Sequence, residues 1–166
     1  MWEALLFWFC ALFAVGLGFL VILLRNPIHS AVALVGSMFC IAALFAQLSA
    51  HFLAALQVLV YAGAIMVLIL FVIMLLNIRD DEIGPPKQTA TKVVGGVLVA
   101  WMVVLLVSLF SSVAAPEPAM LASDFGGVTT IGRMLFSTYL LPFEVASILL
   151  LAAILGAVGI AKKKIW

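Results

Sequence analysis

Five long apolar runs, separated by short polar punctuation, organise the chain. They cover residues 4–24, 28–48, 52–77, 93–114 and 139–161. A helix needs about 20 apolar residues to cross about 30 Å of hydrocarbon, and each run meets that length. The runs are long and continuous, so they read as helices rather than barrel strands. The pattern predicts an all-α integral membrane protein with five transmembrane helices.

The punctuation between runs is sharp. Arg25-Asn26-Pro27 ends the first helix, with Pro27 at a tolerated position at the start of the second. Ser49-Ala50-His51 reads as a tight outer turn, and Arg79 to Lys87 as a charged loop holding Pro85 and Pro86. Ala115-Pro116-Glu117-Pro118 ends the fourth helix. The longest loop follows, with Gly126-Gly127 in it and a short interfacial helix expected over residues 131–136. The N-terminus has no basic region or small-residue cleavage pattern, and its apolar run is too long for a signal peptide. It is read as a retained first helix.

Composition narrows the function. Of 166 residues, 67% are hydrophobic and 9% charged, against roughly 45–50% and about 25% in soluble domains. Mean hydropathy is +1.39. So few polar side chains cannot cover a soluble protein of this size, which excludes a soluble enzyme, a nucleic-acid binder and a secreted disulfide scaffold. The length allows one membrane domain, residues 1–166.

Charge sets the expected orientation. An odd number of spans puts the termini on opposite sides. With Lys162, Lys163 and Lys164 in the cytoplasm, Arg25, Arg79, Lys87 and Lys92 also fall inside, leaving Arg133 alone outside. The positive-inside rule therefore puts the N-terminus outside and the C-terminus in the cytoplasm. Trp2, Trp8 and Trp166 sit near span ends, as interfacial anchors do.

Candidate chemistry is sparse. Glu144 is the one carboxylate inside a predicted span, a turn into the fifth helix after Pro142. It reads equally as a helix-dipole partner and as a proton-path or intersubunit contact. In the third run Gln57 and Tyr61 are four apart and share a helical face, each needing a hydrogen-bond partner. Ala62-Gly63-Ala64 follows, permitting close packing or a local change of winding. The run's 26 residues would make about 39 Å of ideal helix. Tilt absorbs the excess, and so does a π-bulge. His51 and His29 sit at span ends, where solvated residues are the plainer reading.

Cys10 and Cys40 lie in apolar runs at similar depth and read as buried free thiols. No zinc, haem or iron–sulfur spacing appears, and no dinucleotide fingerprint or P-loop. Small residues recur at helical spacing, as in Ala152, Gly156, Ala153, Ala157 and Ala161, and at Gly16, Gly18, Gly95 and Gly96. These favour close packing against other helices.

Three motifs carry a resemblance. The third run, from Gln57-Val-Leu-Val-Tyr61-Ala-Gly63-Ala-Ile-Met66 to Asn77, closely resembles the signature of subunit J of proton-translocating NADH:quinone oxidoreductase, respiratory complex I. That subunit is the bacterial counterpart of mitochondrial NADH dehydrogenase subunit 6. Arg25-Asn26-Pro27-Ile28-His29-Ser30-Ala31 and Leu140-Leu141-Pro142-Phe143-Glu144-Val145-Ala146-Ser147 resemble two further motifs of the same family, in the same order.

The resemblance implies five spans with the N-terminus outside and a π-bulge around residues 61–67 of the third helix. It implies that this helix switches between bulged and regular winding, with Gln57, Tyr61, Gly63, Ala64, Met66 and Val67 as the coupling residues. Some members carry Glu where this chain has Gln57, so no titrating carboxylate is assumed there. NADH, FMN, iron–sulfur clusters and quinone are expected on partner subunits, with no cofactor on this chain. The expected partners are other membrane-arm subunits in a hetero-oligomer, within the lipid bilayer of a bacterial inner membrane and with no nucleic acid. The same role in a complex fed by ferredoxin is an alternative. Two readings from other classes are a cation/proton antiporter component, which would need an absent mid-span Lys or Glu pair, and a structural membrane scaffold.

Overall fold

Asn26 sets the first hairpin. Its side-chain Oδ1 accepts hydrogen bonds from the backbone N–H groups of Ile28, at 2.9 Å, and His29, at 3.4 Å. That cap, with Pro27 behind it, ends α1 (Trp2–Leu23) and starts α2 (Pro27–Gln47). The computed structural model describes residues 1–76, 89–112 and 125–162, all its regular structure being helical. The charged stretch 79–87, residues 115–118 and Lys163, Lys164 and Trp166 lie outside the described residues.

Two serines fasten the hairpin. Ser30 Oγ donates to the Val21 carbonyl at 2.6 Å, and Ser37 Oγ to the Ala14 carbonyl at 3.1 Å. Both the serines and their acceptors are seven residues apart, two turns on each antiparallel helix. The contact is close because the residues are small. Gly36 leaves room for Leu17, whose Cδ1 would lie 3.1 Å from a Cβ at that position. Ala31, Ala33, Ser37 and Ala42 are the buried residues of α2. Lipid offers no hydrophobic drive between apolar helices, so such close packing and interhelical hydrogen bonds do the holding.

The turn after α2 closes as a Schellman motif. Ala50 N–H donates to the Phe45 carbonyl and Ser49 N–H to the Ala46 carbonyl, at 2.9 and 3.1 Å. Ser49 takes the left-handed position, with φ of 61°. The chain then returns as α3, His51–Leu76, 26 residues long, which packs against α2. So α2 is the centre, with α1 on one flank and α3 on another.

The remaining elements are α4 (Thr89–Ser112), the short α5 (Val128–Leu135) and α6 (Leu140–Ala161). By length and apolarity α1, α2, α3 and α6 can each cross a membrane, while α4 has a described apolar stretch of Val94–Leu109. The glycine and alanine strips of α4 and α6 face outward: among the described residues, apart from their own helix backbone and chain neighbours, nothing lies within 4 Å of where a Cβ on Gly95, Gly96 or Gly156 would stand. The expected short helix forms at Val128–Leu135, and Phe136 packs edge-on against Phe143 of α6, with centroids 5.0 Å apart.

Gly126 ties this late segment to the first half of the chain. Its φ is +71°, and a Cβ there would come 2.5 Å from the Ser49 carbonyl oxygen and 3.0 Å from Ala50 Cα. Only glycine meets both demands. The loop before α5 thus rests on the α2–α3 turn.

Candidate functional site: the wide-turn segment of α3

The helix α3 changes winding twice. His51–Leu56 is α-helical, Gln57–Ile65 is π-helical, and Met66–Leu76 is α-helical again. Met66 N–H reaches the carbonyls of both Gly63 and Tyr61, the second being a five-residue closure. A π-turn takes about one more residue than an α-turn. The 26 residues of the span are therefore shorter along the axis than regular helix would make them.

The winding decides which side chains meet α2. Gln57, Ala62 and Met66 are buried, at 8%, 4% and 4% exposure. Their spacing is five and then four. Tyr61, four residues after Gln57, is 53% exposed. The α-helical period puts Gln57 and Tyr61 on one face; the π segment separates them, because its extra residue turns Tyr61 away and brings Ala62 in. Ala64 and Val67 also point outward, while Gly63 is half-buried.

Small residues suit this geometry. A Cβ on Gly63 would stand 3.1 Å from the Val58 carbonyl oxygen, five residues back. Ala62 lets the wide turn approach α2 closely. Gln57 Nε2 donates to the Met38 sulfur on α2 at 3.2 Å, which gives the buried amide a partner. Sequence reasoning did not pick out Met38, since a methionine in an apolar run carries no mark of its role. The seven-residue spacing of Ser30 and Ser37 was a usable signal for the hairpin contact.

The other candidates stand apart. Glu144 is exposed on α6, where its backbone carbonyl accepts from Ser147 Oγ at 2.7 Å. His51 and His29 are exposed at helix starts. Cys10 and Cys40 are free thiols, half-buried. Among the described residues, no group of three His, Cys, Asp or Glu side chains comes together as metal ligands.

These features define a helical, multi-pass membrane protein with a wide-turn segment in one span. The chain belongs to the NADH-ubiquinone/plastoquinone oxidoreductase chain 6 family, whose model matches residues 17–160. It is similar to the chloroplastic NAD(P)H-quinone oxidoreductase subunit 6 of Zygnema circumcarinatum, at 40% identity over 159 residues, covering 91% of this chain and 88% of the relative. The organellar chromatophore subunit 6 of Paulinella chromatophora is 42% identical over 145 residues, covering 86% and 70%. Chain 6 of the Synechocystis enzyme is 39% identical over 155 residues, covering 92% and 77%. The protein is thus a membrane subunit of an NAD(P)H-quinone oxidoreductase complex of the complex I type.

Proposed function

We propose that this subunit helps couple quinone reduction to proton translocation by switching the winding of α3. The observation that carries the reading is the π-helical segment Gln57–Ile65 inside an otherwise α-helical span. Each π-turn that closes to an α-turn rotates the rest of the helix by roughly 100°, one residue's share of the 3.6-residue period. With Gln57 held against Met38, α-winding carries Tyr61 into the place of Ala62 and Ile65 into that of Met66. A phenol then replaces a methyl group at the α2 contact, and a branched apolar chain replaces a thioether. Whether water occupies the neighbouring space follows from that exchange, since a tyrosine hydroxyl can hold a water that an alanine cannot.

In this reading the chain spans the membrane five times, N-terminus outside, with seven of its eight Lys and Arg residues on the cytoplasmic side. The outward glycine and alanine strips of α4 and α6 pack against other membrane-arm subunits. Those partners hold NADH, FMN, iron–sulfur clusters and quinone, and this chain has no redox centre of its own. The membrane is an energy-transducing one, a bacterial inner membrane or the thylakoid-type equivalent where cyanobacterial and chloroplast relatives are named.

Gly63→Leu tests the reading, because a side chain there crowds the Val58 carbonyl and disfavours the π form. The assembled variant complex is expected to oxidise NADH with fewer protons moved per NADH. An assembled variant with an unchanged ratio would count against the proposal. Loss of assembly alone, with normal pumping in the complexes that remain, would favour a structural scaffold.

A further inference from the structure

We infer that Cys10 and Cys40 form a site of reversible oxidation, at which an intrachain disulfide joins α1 to α2. Neither thiol has a part in the coupling proposed above, and the inference stands on the α1–α2 packing alone.

The register places the two together. Ser37 on α2 is bonded to the Ala14 carbonyl on α1. Three residues on from Ser37 is Cys40, and four back from Ala14 is Cys10. Both steps are about one turn in the same direction along an antiparallel pair, so the two cysteines arrive at one level. Both lie on the contact stripe. Cys10 belongs with the half-buried Ala14, Leu17 and Val21 of α1, and Cys40 with the buried Ser37 of α2.

Cys10 also touches a residue at the open end of the hairpin. Gln47 Nε2 donates to its sulfur at 3.7 Å. Gln47 in turn lines an open cleft of about 500 Å³ at the end of the hairpin, with Glu3, Phe7 and Ser49.

The chemistry takes a peroxide as its oxidant. Cys10 sulfur attacks one peroxide oxygen, the O–O bond breaks, and Cys10 becomes a sulfenic acid with release of one water. Cys40 sulfur then attacks the Cys10 sulfur, the S–O bond breaks, and a second water leaves with the remaining thiol proton. The two cysteines give up two electrons, and the peroxide takes them. A dithiol reductant reverses the bond by exchange.

The test uses native membranes treated with hydrogen peroxide, which crosses the bilayer, so the result does not depend on orientation. After denaturation, free thiols are tagged with a heavy maleimide polymer. The reduced chain takes two tags, one on each cysteine. The oxidised chain is expected to take none, and to regain both after dithiothreitol. Under the same dose Cys10→Ser is expected to keep its one tag on Cys40, and Cys40→Ser to stop at a sulfenic acid on Cys10 that dimedone traps. Two tags, or one, on the peroxide-treated wild type would overturn the inference. So would loss of the Cys40 tag in Cys10→Ser.

Discussion

Gln57 and Ala62, five positions apart, ride on the same buried face of the third helix, at 8% and 4% exposure. In an α-helix a five-residue step turns through about 500°, leaving the second residue well off the first one's face. The π winding between them cuts that offset. The contact with α2 therefore depends on winding as much as on residue type. The proposed switch would exchange that face within the span.

Gly126 is expected to be the least replaceable of the described residues leading into α5. Alanine would need a left-handed backbone, costing roughly 1–2 kcal/mol. Its Cβ would also meet the Ser49 carbonyl, a backbone atom that no rotamer change can move. Gly126→Ala should lift the loop from the α2–α3 turn, seen as faster amide hydrogen exchange at Ser49–His51. Unchanged exchange there would mean that the loop does not rest on the turn.

Ser37→Ala removes one interhelical hydrogen bond and leaves no unsatisfied donor, since the Ala14 carbonyl still has its own helix. The expected loss is about 0.6 kcal/mol, typical of such bonds in membranes, and no more than about 1.7. Thermal unfolding of the purified complex in detergent, followed for this subunit, should show a small downward shift. Replacing Ser30 and Ser37 together should lower it further, because the two bonds hold one hairpin.

Gly36 offers a graded probe of the same hairpin. The atom facing it is Leu17 Cδ1, the far end of a flexible side chain. Gly36→Ala is expected to be tolerated after a Leu17 rotamer change, with a gain in helix propensity of about 0.8–1.0 kcal/mol offsetting the crowding. Gly36→Leu should separate α1 from α2 and reduce the amount of assembled complex on native gels. Equal assembly of both variants would show that the hairpin is looser than its hydrogen bonds imply.

Much of this molecule is legible in its sequence, and the failures have physical causes. The four helices long and apolar enough to cross a membrane follow from apolar run length, and Asn26-Pro27 announces its own helix start. The unusual length of the third run and Ala62-Gly63-Ala64 mark the segment where the winding changes. The 3.6-residue period, however, assigns Tyr61 to Gln57's face, because periodicity assumes the winding that this segment does not have. The π turns begin at Gln57, four residues ahead of the 61–67 segment implied by the family resemblance. Met38 was hidden because a thioether serves as an acceptor while looking like any other apolar residue. Gly126 stood out as one of a glycine pair, but its seat on Ser49 is a contact between distant parts of the chain that no local pattern encodes.

If α3 exchanges windings during turnover, cryo-electron microscopy of the intact complex will capture both forms. The complex would be frozen at rest and while oxidising NADH with quinone present. Two populations differing at residues 57–65 are expected: one π-helical with Ala62 and Met66 against α2, and one α-helical with Tyr61 and Ile65 in their places. A single winding in every class, with Ala62 and Met66 never leaving α2, would contradict it.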